Sequence, residues 1–159
     1  MRFRQAQKED LLEIEELVEQ AKIHMHEEGI PQWNEFYPVR EDYENDIQEG
    51  NLYVGVQDSK IVCIYTLNTY YEKEYEACTW FTDSYIVIHR LCVHPEYQNQ
   101  KIGYHCMQHI IKTCAVRSIR LDVFKRNPYA LNLYSHLGFK KVGEATWFGN
   151  DFFIMEKVL

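Results

Sequence analysis

The sequence predicts an α/β fold with a mixed, mostly antiparallel central sheet of about six to seven strands, flanked by about four helices. Two patterns support this prediction. Strand-like and helix-like segments alternate along the chain, and hairpin patterns occur near both ends. The chain has 159 residues, 46% of them hydrophobic, which suits one domain over residues 1–159 and excludes a disordered tail or a coiled coil.

The first third of the chain predicts one strand and two helices. The strand is expected at Met1–Gln5 and the first helix at Lys8–Glu28, where apolar residues recur at helical spacing and Gly29 supplies the C-cap. An aromatic connection, residues 30–38, then leads to a short acidic helix at Arg40–Gln48.

The middle of the chain predicts three strands. The first two, Leu52–Gln57 and Ile61–Thr69, are separated by a turn at Asp58-Ser59-Lys60. The third, Tyr85–Val93, is dense in β-branched and aromatic residues and stops at His94-Pro95.

The last third predicts two helices, one strand and a final hairpin. In chain order, these are a helix at Ile102–Val116, a strand at Ser118–Phe124, a helix at Pro128–Leu137, and hairpin strands at Phe139–Phe148 and Asp151–Val158 around a Gly149-Asn150 turn.

Charge is divided unevenly along the chain. The net charge of −7 argues against nucleic-acid binding, which relies on a basic surface. Residues 1–88 carry 7 Lys and Arg against 19 Asp and Glu, whereas residues 89–141 carry 9 against 2. A basic segment within an acidic protein suggests a small anionic partner.

The sequence predicts a cytoplasmic protein. Lys8, Glu9 and Asp10 stand where the apolar core of a signal peptide would begin, and no stretch approaches the roughly 18 apolar residues of a membrane span. The five scattered cysteines indicate reduced thiols. His105 and His109 share a helix face, but no third ligand is placed by the sequence, so no metal site is expected.

The junction after the Tyr85–Val93 strand is the first candidate for a binding site. The polar loop His94–Lys101 leads directly into a helix whose first turn contains Gly103. Free amide groups and the helix dipole make such a junction suitable for a phosphate group. An ordinary strand-to-helix connection has the same pattern.

The second candidate is the predicted helix at Pro128–Leu137. Asn127 suits the N-cap, Pro128 the first helical position, and Gly138 the position just after the helix. Tyr134 lies on its apolar face. By spacing alone, a tyrosine packed in the core explains that position better than a functional one.

Together these segments resemble the GNAT superfamily of N-acetyltransferases. Residues 88–103, IHRLCVHPEYQNQKIG, resemble its acetyl-CoA-binding motif, a strand that leads into R/Q-x-x-G-x-G/A and a helix. Residues 127–139 resemble its second motif, N-x-x-A-x-x-x-Y-x-x-x-G-F. Further likeness to a bacterial small-molecule subgroup covers nearly the whole chain, through Gln32-Trp33, Tyr37-Pro38, Asp46-Ile47 and Leu52-Tyr53-Val54. The resemblance implies the GNAT-like acyl-CoA N-acyltransferase fold.

The motif departs from the family pattern in the phosphate loop. Lys101 stands where the family usually has glycine, and Asn99 replaces a frequent second glycine. If position 101 needs a positive φ, lysine there costs about 1 kcal/mol or somewhat more, whereas asparagine tolerates that conformation better. A weakened affinity for acetyl-CoA is one expectation. Partial compensation by a pairing between the Lys101 ammonium and a phosphate is the other.

The resemblance also implies roles for individual residues. Tyr134 would be the general acid that protonates the leaving thiolate, and His89 a base or water-relay residue, although a packed histidine or an acidic-half glutamate are alternatives. The Val93 amide would stabilise the tetrahedral oxyanion. The cofactor-binding residues would be Leu91, Cys92, Val93, Gln98, Asn99, Gln100, Lys101, Ile102, Gly103, Asn127 and Tyr134.

The expected reaction is acetyl transfer from acetyl-CoA, as co-substrate, to a primary amine of a small molecule by direct attack on the thioester. Residues Trp33–Tyr37, with Tyr70, Tyr71 and Trp80, suit either an acceptor pocket or a core. A catalytically weak CoA-binding or protein-interaction domain, and acetylation of a protein amine, are the alternatives. Nucleic acid and membrane are not expected partners, and a homodimer is left open.

Overall fold

The computed structural model describes all residues, 1–159. The helices are α1 (Leu11–Glu27), α2 (Arg40–Gln48), α3 (Ile102–Thr113) and α4 (Pro128–His136). The strands are β1 (Arg2–Gln5), β2 (Leu52–Gln57), β3 (Lys60–Asn68), β4 (Tyr85–Val93), β5 (Ser118–Phe124), β6 (Lys140–Trp147) and β7 (Asn150–Val158). Three short 3₁₀ turns complete the structure, at Lys8–Asp10, Lys73–Ala77 and Pro95–Tyr97.

The seven strands form a sheet in the order β1-β2-β3-β4-β5-β7-β6. The pairs β1–β2, β2–β3, β5–β7 and β6–β7 are antiparallel, whereas β4 and β5 are parallel. The parallel pairing joins residues 85–87 of β4 to residues 118–120 of β5. The predicted fold class, a mixed and mostly antiparallel sheet with four helices, is confirmed.

The chain divides into two compact units, and strand β4 contributes to both. The first unit comprises residues 1–67 and 89–110. Within it, α1 and α2 contact each other. The apolar face of α1, predicted from its helical spacing, is buried at Leu11, Ile14, Leu17, Val18 and Ala21, and it joins a core with Tyr43, Leu52, Val54, Ile61, Ile64 and Cys92.

The second unit comprises residues 68–88 and 111–159. Its core is built on Tyr75, Val87, Ala145 and Ile154, with several partly buried aromatic residues packed around them. Strand β5 pairs along its whole length with β7, from Ser118↔Val158 to Phe124↔Phe152. The unit therefore has a core of its own.

Most element boundaries agree with the sequence-based predictions to within a residue, and α4 ends one residue early, at His136; two helices differ by more. The helix predicted at Lys8–Glu28 is a 3₁₀ turn followed by α1, with Gly29 beyond its end at a φ of +75°. The helix predicted to reach Val116 ends at Thr113. It ends early because Arg117 and Ser118 both donate their N–H groups to the Ser84 carbonyl oxygen, which commits the chain to the approach of strand β5.

The final hairpin turn was predicted one residue too late. Trp147 pairs with Asn150, so the two turn residues are Phe148 and Gly149, and their φ angles are +51° and +77°. A two-residue turn with positive φ at both positions matches the twist of the flanking strands. The prediction placed Gly149 first because phenylalanine gives no sequence signal for a positive φ.

Candidate active site

Strand β4 contains a backbone conformation that side-chain-bearing residues rarely adopt. Arg90 has a φ of +53° in the second half of the strand. For an L-residue other than glycine, this conformation costs on the order of 1–2 kcal/mol and persists where surrounding contacts hold it. Strand β4 therefore changes its backbone course immediately before residues 91–93, the segment expected to bind the acetyl group.

The Arg90 side chain forms three hydrogen bonds to two neighbouring side chains. Its Nη2 and Nε atoms donate to Asp46 Oδ2 at 2.5 Å and 2.9 Å, and its Nη1 donates to the Tyr37 hydroxyl at 2.9 Å. Asp46 Oδ2 also accepts a 2.8 Å hydrogen bond from the Thr66 hydroxyl. The Arg90 and Asp46 side chains are 14% and 8% exposed, so this is a buried and well-partnered ion pair.

The direction of the amide groups at the end of β4 follows from one hydrogen bond. His94 donates its N–H to the Val62 carbonyl oxygen of β3 at 2.8 Å. Because amide groups alternate in direction along a strand, the N–H groups of Val93 and Leu91 point away from β3. The Cys92 side chain is buried in the core of the first unit. The backbone of Leu91 and Val93 is thus directed away from the neighbouring strand β3.

His94 also shapes the connection that follows β4. Its Nδ1 atom accepts a 3.1 Å hydrogen bond from the Glu96 N–H, which caps the 3₁₀ turn at Pro95–Tyr97. Its ring contacts the Tyr97 ring edge-on, at 5.7 Å between centroids. These contacts fix the start of the phosphate-loop segment, residues 98–101, whose side chains are all exposed.

The phosphate-loop segment adopts the conformation for which the family uses glycine. Asn99 and Lys101 have φ angles of +64° and +58°. Lys101 then accepts the first helical hydrogen bond, from the His105 N–H at 2.9 Å. Three amides come before that hydrogen bond in the first turn of α3, at the positive end of the helix dipole. They belong to Ile102, Gly103 and Tyr104. The positive φ considered for position 101 is confirmed.

The second motif lies in the second unit and forms the predicted helix, α4. Asn127 Oδ1 accepts a 3.1 Å hydrogen bond from the Ala130 N–H, and Pro128 occupies the first turn. At the other end, Gly138 has a φ of +88°, and the Phe139 N–H returns to the Tyr134 carbonyl oxygen at 3.0 Å. The predicted capping of this helix is confirmed, and the cap uses the side-chain oxygen of Asn127.

The two predicted catalytic residues belong to different units. His89 is half-buried at the start of the β4 segment in the first unit. Tyr134 is buried on α4 in the second unit, where its ring contacts the Phe139 ring at 5.5 Å between centroids. The predicted cofactor-binding residues divide in the same way, with residues 91–103 in the first unit and Asn127 and Tyr134 in the second.

The aromatic residues considered for an acceptor pocket have several different environments. Trp33 packs on the core of the first unit, and Tyr71 and Trp80 pack on that of the second. Phe36 and Tyr70 are 78% and 61% exposed. The core interpretation therefore holds for Trp33, Tyr71 and Trp80.

Three basic residues of the segment 89–141, which was expected to face an anionic partner, differ in their surroundings. Lys101 is exposed in the phosphate loop. Lys125 pairs with Glu144 at 3.2 Å, so its charge is already partly balanced. Arg126 is exposed, with its guanidinium 5.7 Å from the centre of the Phe124 ring.

Sequence reasoning missed one titratable residue, Asp122 on strand β5. The Tyr75 hydroxyl donates to Asp122 Oδ2 at 2.7 Å, and Tyr75 is fully buried in the core of the second unit. Burial raises the pKa of Asp122 to about 6, against the lowering effect of the tyrosine hydrogen bond. Two charged residues, Arg120 and Asp122, within an otherwise apolar strand were the available sequence signal.

No group of three or more His, Cys, Asp or Glu side chains is arranged to hold a metal ion. No helix is long and apolar enough to cross a membrane.

The fold and these motifs define an acyltransferase of the α/β class, and comparison with known proteins identifies the family. The model of the acetyltransferase (GNAT) family matches residues 13–139, most of the chain. The chain therefore belongs to the GNAT family of acetyltransferases, as its two motifs predicted, and it is an N-acetyltransferase. A comparison with curated protein sequences gave no match.

Solved structures show the same fold. A GNAT-family acetyltransferase from Streptococcus agalactiae is 23% identical, with a TM-score of 0.90 over 99% of this chain and 95% of that chain. The ribosomal-protein-S18-alanine N-acetyltransferase of Escherichia coli is 17% identical, with a TM-score of 0.74 over 99% and 92%. The PaiA N-acetyltransferase of Thermoplasma acidophilum, solved in complex with coenzyme A, is 24% identical, with a TM-score of 0.70 over 99% and 98%.

The raised pKa of Asp122 predicts a distinct pH dependence of stability. The folded-state pKa of Asp122, about 6, exceeds its unfolded value, so folding favours the protonated carboxyl group. Its contribution to the free energy of unfolding is therefore fully present below the unfolded pKa and is lost as pH rises through 6. Asp122→Asn retains an acceptor for Tyr75 but does not titrate. Between pH 4.5 and pH 7.5, we expect the original protein to lose about 1–2 kcal/mol of its free energy of unfolding relative to this variant.

Urea denaturation of both proteins at the two pH values measures this difference. Carboxylates whose pKa is lowered, such as Asp10 beside Arg4, contribute equally to both proteins and cancel. A difference between the two proteins that is the same at pH 4.5 and pH 7.5 would show that Asp122 titrates normally.

Proposed function

We propose that this protein transfers the acetyl group of acetyl-CoA to a primary amine of a small molecule, and that residues 1–159 act as one acetyltransferase domain in the cytoplasm. The observation that carries the proposal is the β4–α3 junction. There, a strand with outward amides at Leu91 and Val93 leads into a loop with positive φ at Asn99 and Lys101 and then into a helix N-terminus. Five free cysteines are consistent with a reducing compartment.

The cofactor would bind along this junction. The backbone of β4 would pair with the pantetheine arm as a further strand would, through the Leu91 amide, which points away from β3 and leaves the Val93 amide for the acetyl carbonyl. The amides of residues 98–103 would receive the pyrophosphate at the helix N-terminus. Lys101, exposed and in the same loop, would add a positive charge beside the phosphates. The coenzyme A bound by the Thermoplasma relative supports this assignment.

The transfer step would use two groups. The Val93 N–H would stabilise the oxyanion that forms when the amine attacks the thioester carbonyl carbon. As the tetrahedral intermediate collapses, the carbon–sulfur bond breaks and the thiolate takes a proton, which the Tyr134 hydroxyl would donate. The products are the acetylated amine and free CoA.

Direct attack is favoured over an acetylated cysteine intermediate. Burial raises the pKa of the thiols of Cys78, Cys92, Cys106 and Cys114, so these thiols remain protonated near neutral pH. Cys92 is next to Val93 in sequence, but its side chain is in the core of the first unit. A protonated, buried thiol is a poor nucleophile.

Two residues are candidates for the base that deprotonates the amine. His89 lies on β4, the strand that leads to the segment proposed to bind the acetyl group. Asp122 is supported by its raised pKa of about 6, which is close to the operating pH of a base. His89→Gln and Asp122→Asn each remove one candidate, and the variant with the larger fall in kcat identifies the base.

The acceptor is proposed to be a small cationic amine, since residues 1–88 carry a net charge of −12. A second candidate is the N-terminal amine of a protein, which is favoured by the similarity to the ribosomal-protein-S18-alanine N-acetyltransferase. The third is a catalytically weak CoA-binding or protein-interaction domain, suggested by Lys101 in place of glycine.

Release of free thiol from acetyl-CoA in the presence of an amine panel tests the proposal. The panel holds polyamines, aminoglycosides, amino-acid amides and peptides with a free N-terminus. We expect turnover above the hydrolysis background with at least one small cationic amine. Turnover with peptides alone would favour protein acetylation, and CoA binding without turnover on any amine would favour the weak binding domain.

Tyr134→Phe tests the assigned acid. Because general-acid help is worth about 10²–10⁴-fold, we expect kcat to fall by that range while the affinity for CoA is retained. Tyr53→Phe is the matched control, since Tyr53 stacks on Tyr65 in the first unit and has no assigned role in the reaction. Steady-state kinetics and calorimetric CoA binding give the two values. An unchanged kcat would remove Tyr134 as the acid.

A further inference from the structure

The positive φ of Arg90 lies directly before the amides of residues 91–93. Successive amides in a strand alternate between its two edges, and an irregular residue shifts that alternation by one. Because His94 donates to Val62, the N–H of Val93 points to the opposite edge. With a regular extended conformation at Arg90, the alternation of residues 91–93 relative to the earlier part of β4 would be reversed.

Glycine adopts this conformation without strain, but this chain has arginine. The conformation therefore needs a compensating interaction, and the side chain of the strained residue supplies it. Three of its nitrogen atoms are used, two on Asp46 and one on Tyr37. Asp46 lies in α2 and accepts a hydrogen bond from the Thr66 hydroxyl. Asp46 and Arg90 both belong to the first unit.

The same guanidinium reaches a second, well-defined segment. Asn34 Oδ1 accepts hydrogen bonds from the N–H groups of Phe36 and Tyr37, at 2.8 Å and 3.1 Å, and the backbones of Asn34 and Tyr37 pair as a small bridge. The Tyr37 hydroxyl on this turn is the acceptor for Arg90 Nη1. Helix α2, the turn at residues 34–37 and strand β4 are thus tied together at one charged group.

We propose that Asp46 and Arg90 are positioning residues for acetyl transfer, which hold the irregular backbone of β4 so that the Val93 N–H is directed at the thioester oxygen. Neither touches the reacting atoms. Their effect on the reaction is exerted through the backbone of residues 91–93. The inference rests on the proposed function, because it assigns the Val93 amide to the oxyanion.

The proposal separates two parts of cofactor binding. The amides of residues 98–103 bind the pyrophosphate, which CoA and acetyl-CoA share. The Val93 amide contacts only the acetyl carbonyl. Loss of the ion pair should therefore weaken recognition of the acetyl group and leave recognition of the phosphates intact. A pair that merely stabilises the fold would lower both affinities together or neither.

The variants are Asp46→Asn and Arg90→Gln, with Asp10→Asn as the matched control. Asp46→Asn keeps the shape of the side chain and removes its charge. Arg90→Gln removes the ion pair but keeps a side chain, so the positive φ loses its compensating contact, and it provides the measurement if the first variant is unstable. Asp10 forms a comparable two-bond pair with Arg4, at 2.7 Å and 3.0 Å, in the same unit and away from β4.

Calorimetry with CoA and with acetonyl-CoA, a ketone analogue that retains the carbonyl group, provides the decisive measurement. We expect the ratio of the two affinities to fall about 10-fold in Asp46→Asn and Arg90→Gln, with CoA affinity changed less than about threefold. In the amine assay, kcat should fall about 10- to 100-fold in both variants. Asp10→Asn should change neither the ratio nor kcat.

An unchanged affinity ratio in a folded Asp46→Asn or Arg90→Gln protein would overturn the inference, as would an equal fall in Asp10→Asn. The binding ratio needs no turnover. If the original protein acetylates no amine, the proposed function fails, while the ratio still tests whether the ion pair positions the carbonyl-binding amide.

Discussion

The buried ion pair between Arg90 and Asp46 is the interaction that we propose holds the candidate active site in position. It joins a residue with a φ of +53° in strand β4 to helix α2, and its cost of desolvation is offset by further hydrogen bonds from Thr66 and to Tyr37. A strained backbone in the middle of a strand is stable only where such contacts hold it. Here the strain lies directly before the segment proposed to bind the acetyl group.

The phosphate loop shows a different solution to the same backbone requirement. Asn99 and Lys101 also have positive φ angles, but their side chains are exposed and no buried partner compensates them. Asparagine tolerates the conformation well and lysine less so. The exposed charge of Lys101 suits a loop that is proposed to receive an anion, whereas the buried charge of Arg90 suits a residue that is fixed in place.

Local signals made part of this structure predictable. Strands β4 and β5 and helix α2 have the predicted bounds because β-branched runs and caps mark their ends within a few residues. Arg90 and Asp46 are 44 residues apart in sequence, and nothing near either one signals the pair. The positive φ of Phe148 and the raised pKa of Asp122 likewise arise from contacts made only in the folded chain. Family motifs located the candidate site residues, but not the interactions that hold them.

The most direct test of the account is a crystal structure of the protein soaked with acetyl-CoA. The account predicts a thioester carbonyl oxygen about 3 Å from the Val93 amide nitrogen and a pyrophosphate on the amides of residues 98–103. A carbonyl group bound elsewhere, with the Val93 amide making no contact to the cofactor, would contradict it.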